Sequence, residues 1–195
     1  MPQVLSATAP TAKPIQLIVS TMKPFYIKIT ADNMFPDIAV VEFKTPDIFD
    51  SYKTPNLDLS QLKADFIKLP TNNISKVILI IPQSFIDHVE DASKYPSRAA
   101  DEFTTYLRDT LEPEILKQQG KLVLLVPEKG GSGKNDLNNT SRGRLTGLAF
   151  TVAHNMPTAI ALIQGTIQSG ALLTGSSSSS FAGSGNLATS PTKKP

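Results

Sequence analysis

The chain has 195 residues, 40% of them hydrophobic and 18% charged, with a formal net charge of +2. That mix predicts one core-forming domain, and the near-neutral balance lacks the clustered basic face that nucleic-acid binding needs. The absence of cysteine excludes disulfides, thiolate metal sites and a cysteine nucleophile, and suits a reducing compartment, the cytoplasm first and a mitochondrion as the alternative.

In chain order, residues 1–14 hold three prolines among small polar residues and read as a flexible arm. No acid precedes Asp32, as in organellar transit peptides, but arginine is missing there too. Folding is expected from Ile15. "IQLIVS" (15–20) and "FYIKIT" (25–30) are rich in β-formers, and "IAVVEF" (38–43) is a continuous apolar run of the kind buried on both faces of a sheet. "SQLKADFIKL" (60–69) fits either a short helix after Asp58 or a strand ending near Leu69. "SKVILIIP" (75–82) is a clear buried strand. From Ser97 to Gln119, Ala99, Phe103, Tyr106, Leu107, Leu111, Ile115 and Leu116 recur at helical spacing, and Gly120 is expected to close that helix. "KLVLLV" (121–126) reads as another buried strand, "SRGRLTGLAFTVAHN" (141–155) as a helix capped by Ser141 or Thr140, and "TAIALI" (158–163) as a last strand.

Strands alternating with helices predict an α/β fold: a Rossmann-like, doubly wound, mostly parallel sheet with flanking helices over residues 15–170. Between Ile15 and Pro82 strand-like runs outnumber helices, so part of the sheet is expected to lack cover of its own. Residues 171–195, rich in Ser and Gly, read as a disordered tail. No apolar run reaches the roughly 18 to 20 residues that span a bilayer, so no integral membrane association is expected.

Two segments resemble known functional motifs. "KGGSGKN" (129–135) is similar to the deviant Walker A loop of the ParA and MinD ATPases, with Lys129, Gly130, Gly131, Gly133 and Lys134 matching. Such a loop surrounds phosphate with backbone N–H groups and needs a hydroxyl for Mg²⁺, where this chain has Asn135. Over Ile74–Gly170, "LRDTLEPEILKQQGKLVLLV", "SRGRLTGLAFTVAHN" and "TAIALIQGTIQSG" resemble the long helix, following strand, catalytic helix and last strand of the short-chain dehydrogenase/reductase family. That resemblance implies hydride chemistry by a tyrosine, a lysine four residues later and a serine. The aligned positions hold Asn138, Arg142 and Pro127 instead, "IIPQ" (80–83) replaces an Asn-Asn-Ala-Gly motif, and "TMKPFYIK" (21–28) stands where the glycine-rich cofactor turn belongs.

The resemblance therefore implies a catalytically degenerate domain without cofactor, acting as a structural or protein-interaction subunit. A homo- or hetero-oligomer is expected through the 97–119 and 141–155 helices, with Phe103, Leu107, Leu148 and Phe150 as contacts or as the domain's own core. The alternative is an oxidoreductase or sensor that holds NAD, NADP or another phosphate ligand with Lys129, Gly130, Gly131, Gly133, Lys134, Arg142 and Arg144. A further alternative is an NTPase using the glycine-rich loop. His88, beside Asp87, Glu90 and Asp91, reads as part of a solvated turn rather than a metal site, and His154 as a helix end. Ser132 and Ser141 lack a nucleophile elbow, and neither Tyr95 nor Tyr106 has a lysine four residues on.

Overall fold

The apolar runs of the middle of the chain assemble into one five-stranded sheet, in the order β1 (Ile27–Ala31), β2 (Ala39–Phe43), β3 (Lys76–Ile80), β4 (Lys121–Leu125) and β5 (Val152–Ala153). The computed structural model describes residues 15–23, 25–127 and 137–166, without the side chains of 137–140. The expected N-terminal arm, the "KGGSGKN" loop and the tail lie outside those residues. β1 and β2 form an antiparallel hairpin, and the other three pairings are parallel. The chain is thus an α/β domain with a mostly parallel, Rossmann-like sheet, as its continuous apolar runs predict.

Parallel neighbours require crossovers, and helices supply them. α1 (Ile15–Thr21) precedes the sheet and α2 (Leu59–Thr71) joins β2 to β3. Between β3 and β4 come α3 (Gln83–Glu90), α4 (Arg98–Tyr106), a π-helical turn (Leu107–Leu111) and α5 (Glu112–Lys117). α6 (Leu137–Gly147) leads to β5, and α7 (Met156–Gln164) follows it.

Alternation along the central strands divides their side chains between two faces. Val77, Leu79, Leu122 and Leu124 join the larger core with side chains of α1 to α6. Ile78, Val123, Leu125 and Ala153 join a smaller core with Ala159, Leu162 and Ile163 of α7. Both faces are covered, but the strand order is sequential and has no reversal. Right-handed crossovers between successive strands place their helices on one side, leaving α7 to cover the other. Over the hairpin that second face carries Lys28, Thr30 and Glu42, and the Lys28 ammonium lies 3.8 Å from the Glu42 carboxylate. Val40 opposite Thr30 shares that face and is buried, so this part of the sheet is polar at Lys28, Thr30 and Glu42 and apolar at Val40.

Phe103 is the hub of the larger core. Its ring centroid lies 5.9 Å from Phe43, 5.3 Å from Phe49, 5.1 Å from Phe66, 6.4 Å from Phe85 and 6.1 Å from Tyr106. Leu107 and Phe150 are buried in the same core, so of the four expected oligomer contacts only Leu148 is exposed.

Several expected elements change type. "IQLIVS" is α1, not a strand: Ile15, Ile18, Val19 and Met22 repeat at i, i+3, i+4, i+7 and pack on the core, with Leu17 exposed. "TAIALI" is α7, not the last strand. Asn155 caps it by accepting from the Thr158 N–H at 2.9 Å, Pro157 sits in its first turn, and Gly165 at φ 72° closes it. A single helix over 141–155 does not form, since α6 ends at Gly147 and Val152–Ala153 supplies the edge strand. Thr140 and Ser141 therefore lie inside α6 rather than at its cap, and His154 follows β5 rather than ending a helix. The undecided 60–69 segment is α2, capped by the Asp58 carboxylate accepting from the Gln61 N–H at 3.0 Å.

The long helix expected over 97–119 is helical throughout but opens into the π turn. Pro113 has no N–H to give the Asp109 carbonyl, and the Glu112 N–H reaches back to the Leu107 carbonyl, an i to i+5 bond. The opening also corrects the apolar stripe: four-residue steps from Phe103 to Leu107, Leu111 and Ile115 each drift by about 40° in an α-helix. At the C-terminus the Gln119 N–H bonds the Leu116 carbonyl at 2.9 Å and the Gly120 N–H bonds Ile115 at 3.0 Å, a Schellman closure. The left-handed residue is Gln119 at φ 56°, not Gly120. Gly120 is required for space, because a Cβ there would lie 2.1 Å from the Ser75 carbonyl oxygen.

Candidate functional site

Ligands of open α/β sheets bind beyond the carboxyl ends of the parallel strands. At that end of β2 and β3 the structure has a cavity of about 350 Å³. Its first wall is the segment after β2, which Phe49 anchors with its ring 5.3 Å from that of Phe85. Ser84, in the first turn of α3, ties this wall down: its hydroxyl donates to the Pro46 carbonyl at 2.9 Å and accepts from the Phe49 N–H at 3.1 Å. The second wall, Lys94–Pro96, follows α3. Ser51 joins the two walls by donating to the Pro96 carbonyl at 2.8 Å.

The lining carries charge of both signs. Lys53 donates to the Asp47 carboxylate at 2.9 Å and lies 3.9 Å from Asp50. The Asp47 hydrogen bond and charge raise the Lys53 pKa above the ordinary lysine value. Asp87 accepts from the Gln83 amide at 2.6 Å. The Lys94 ammonium stands 5.1 Å from the Tyr95 ring centroid, and Tyr52 projects from the rim, 84% exposed. The cavity thus offers a polar ligand paired charges, hydroxyls and aromatic surface, within a frame set by Phe49 and Ser84.

His88 does not lie in a solvated turn, as its acidic neighbours suggest; it is buried in α3 behind the second wall. Its Nδ1 is 2.9 Å from the Tyr95 carbonyl oxygen and its Nε2 is 2.9 Å from a carboxylate oxygen of Asp101 on α4. Both ring nitrogens are engaged away from Ser84, so these residues do not form an activated serine. Among the described residues no group of three or more His, Asp or Glu side chains is placed to hold a metal.

The residues singled out at the dehydrogenase positions are scattered or committed to structure. Pro127 is exposed just beyond β4, and Asn138 falls in the first turn of α6. Arg142 donates to the Val126 carbonyl at 3.4 Å and Arg144 to the Val89 carbonyl at 2.5 Å. The buried Ser141 hydroxyl donates to the Glu90 carboxylate. Together these bonds dock α6 onto α3 and the end of β4. Lys129, Gly130, Gly131, Gly133 and Lys134 lie outside the described residues. "TMKPFYIK" does not follow a first strand, because α1 replaces that strand; it leads from α1 into β1. Asp47, Asp50, Lys53 and Lys94 went unmarked in the sequence. The available signal was the length of the segment between β2 and α2, residues 44–58, long for a crossover entry in such a fold.

Comparison of the chain with family models, curated proteins and solved structures returns no match.

Proposed function

We propose that this chain is a catalytically degenerate Rossmann-like domain, similar to short-chain dehydrogenases, that works as a structural or protein-interaction subunit. The observation that carries this reading is the use of α6. Arg142, which stands at the aligned lysine position, is bonded to the Val126 carbonyl, and its neighbours Ser141 and Arg144 hold the same helix to Glu90 and Val89. A guanidinium bonded to a main-chain carbonyl has fewer donors left for a phosphate or ribose. Partner contact falls to the exposed faces of the 97–119 and 141–155 segments, which present Leu116 and Leu148. The cysteine-free composition favours the cytoplasm, with a mitochondrion second.

A second reading rests on the cavity beyond β2 and β3: a sensor that holds a polar or phosphorylated ligand against Lys53 and Lys94. A thermal-shift panel of NAD, NADP, ATP and GTP separates the two, since ligand at a hundred times its dissociation constant stabilises a fold by about 2.7 kcal/mol. The interaction reading expects no shift with any of the four, together with self-association or recovery of a partner protein. A monomer in light scattering at high micromolar concentration with no partner in a pull-down would overturn it, and a saturable shift lost in Lys53→Ala would establish the sensor.

A further inference from the structure

We propose that His88 is a proton-operated latch on the second wall of the cavity, holding segment 91–97 closed as an imidazolium and releasing it as the neutral ring. The side chain is 7% exposed, and its ring faces an acceptor on each side, the Tyr95 carbonyl at Nδ1 and the Asp101 carboxylate at Nε2, both at 2.9 Å. Carbonyl and carboxylate oxygens only accept, so both bonds exist together only when both ring nitrogens carry hydrogen. A neutral imidazole has one N–H. The carboxylate is the stronger acceptor, so the remaining proton stays on Nε2 and the Nδ1 lone pair is left facing the Tyr95 oxygen. Two acceptors in contact repel, and the wall loses its tie to α3.

The location makes that loss consequential. Tyr95 lines the cavity, its neighbour Pro96 accepts the Ser51 hydroxyl bond that joins the two walls, and Ser97 caps α4, which carries Asp101. One ring thus connects α3, the wall and α4. The charged groups on its own helix and on the segments joined or packed to it are Asp101 from α4, Asp87, Glu90 and Asp91 on or just after α3, Lys94 in the wall, and Arg144 from α6. Glu90 accepts the Ser141 hydroxyl and Arg144 is bonded to the Val89 carbonyl, which leaves Asp101 as the only one of the six bonded to the ring. The inference concerns the cavity and holds under either reading of the function.

The test uses the full-length chain. Ring ¹⁵N shifts of His88 and amide protection factors of residues 91–97 are measured between pH 5 and pH 8, the range in which imidazole changes charge. Lys94 and Tyr95 are the reporters, since their N–H groups bond the Asp91 carbonyl at 3.2 and 2.9 Å. Protection is expected to fall about tenfold as the ring becomes neutral with its proton on Nε2, the change expected from one charge-assisted hydrogen bond. The side chain of Asp101 is 73% exposed, so Asp101→Asn keeps the fold. Its amide donates to Nε2 and lets a ring protonated only on Nδ1 make both bonds, so protection in that variant is expected to be independent of pH. A ring that stays in one charge state from pH 5 to 8, wild-type protection that does not follow the ring, or an Asp101→Asn variant with the wild-type pH dependence would each overturn the proposal.

Discussion

Replacing Asp65 by alanine removes the acceptor on which the entry to the sheet is built. Asp65 is fully buried on α2, and its carboxylate accepts from the Phe25 N–H at 2.6 Å, the Tyr26 N–H at 3.0 Å, the Lys68 ammonium at 2.5 Å and the Gln61 amide at 3.4 Å. Alanine leaves two main-chain N–H groups at the start of β1 without their partner, at about 1 to 3 kcal/mol each. Lys68 is partly exposed and recovers water, which lowers its share of the loss. The expected cost is about 2 to 6 kcal/mol, carried mainly by the two unpaired amides. Burial raises the Asp65 pKa, but the Lys68 hydrogen bond and the Tyr26 and Phe25 amides outweigh it and hold the carboxyl below its ordinary value. A carboxyl held down in the folded state stabilises fully above its unfolded value of about 3.9, and the contribution is lost as pH falls through the folded value. Urea unfolding followed by circular dichroism should show the difference between wild type and Asp65→Ala at its largest at pH 7 and shrinking below pH 4. A cost under 1 kcal/mol at pH 7, or a difference that stays constant down to pH 2.5, would refute the reasoning.

Phe103→Ala empties the centre of the aromatic cluster and is expected to cost about 3 to 5 kcal/mol in the same unfolding measurement; a cost below 1.5 would mean that the ring is not the hub. The two residues that end α5 should respond in opposite directions. Gly120→Ala drives a methyl into the Ser75 backbone and is expected to destabilise by at least about 1 to 3 kcal/mol, whereas Gln119→Gly relieves a left-handed side-chain residue and is expected to stabilise by about 0.5 to 1 kcal/mol. The reverse order would show that the closure is misassigned.

Much of this architecture is legible along the chain. β3 and β4 are wholly apolar after their first lysine, since a strand buried on both faces leaves no polar position to interrupt it, whereas Glu42 interrupts β2. The long helix is visible from its stripe, and Pro113 with the four-residue steps already marks the place where an α-helix opens into a π turn. The N-cap Asn155, Pro157 and Gly165 of α7 were equally present. Short apolar runs such as "IQLIVS" and "TAIALI" satisfy both periods, however, and which one wins depends on where the sheet has room. Val152 and Ala153 take the edge position beside β4, so the following run must cover the second face as a helix. The cavity and His88 belong to the tertiary structure alone. Asp47, Lys53, Ser84 and Tyr95 meet through chain separations of up to 48 residues, and a histidine among acids is buried because Asp101 and the Tyr95 carbonyl arrive from other segments. Local sequence sets which residues seek burial and at what period; the partners that satisfy a buried polar group are chosen by packing, which no single segment encodes.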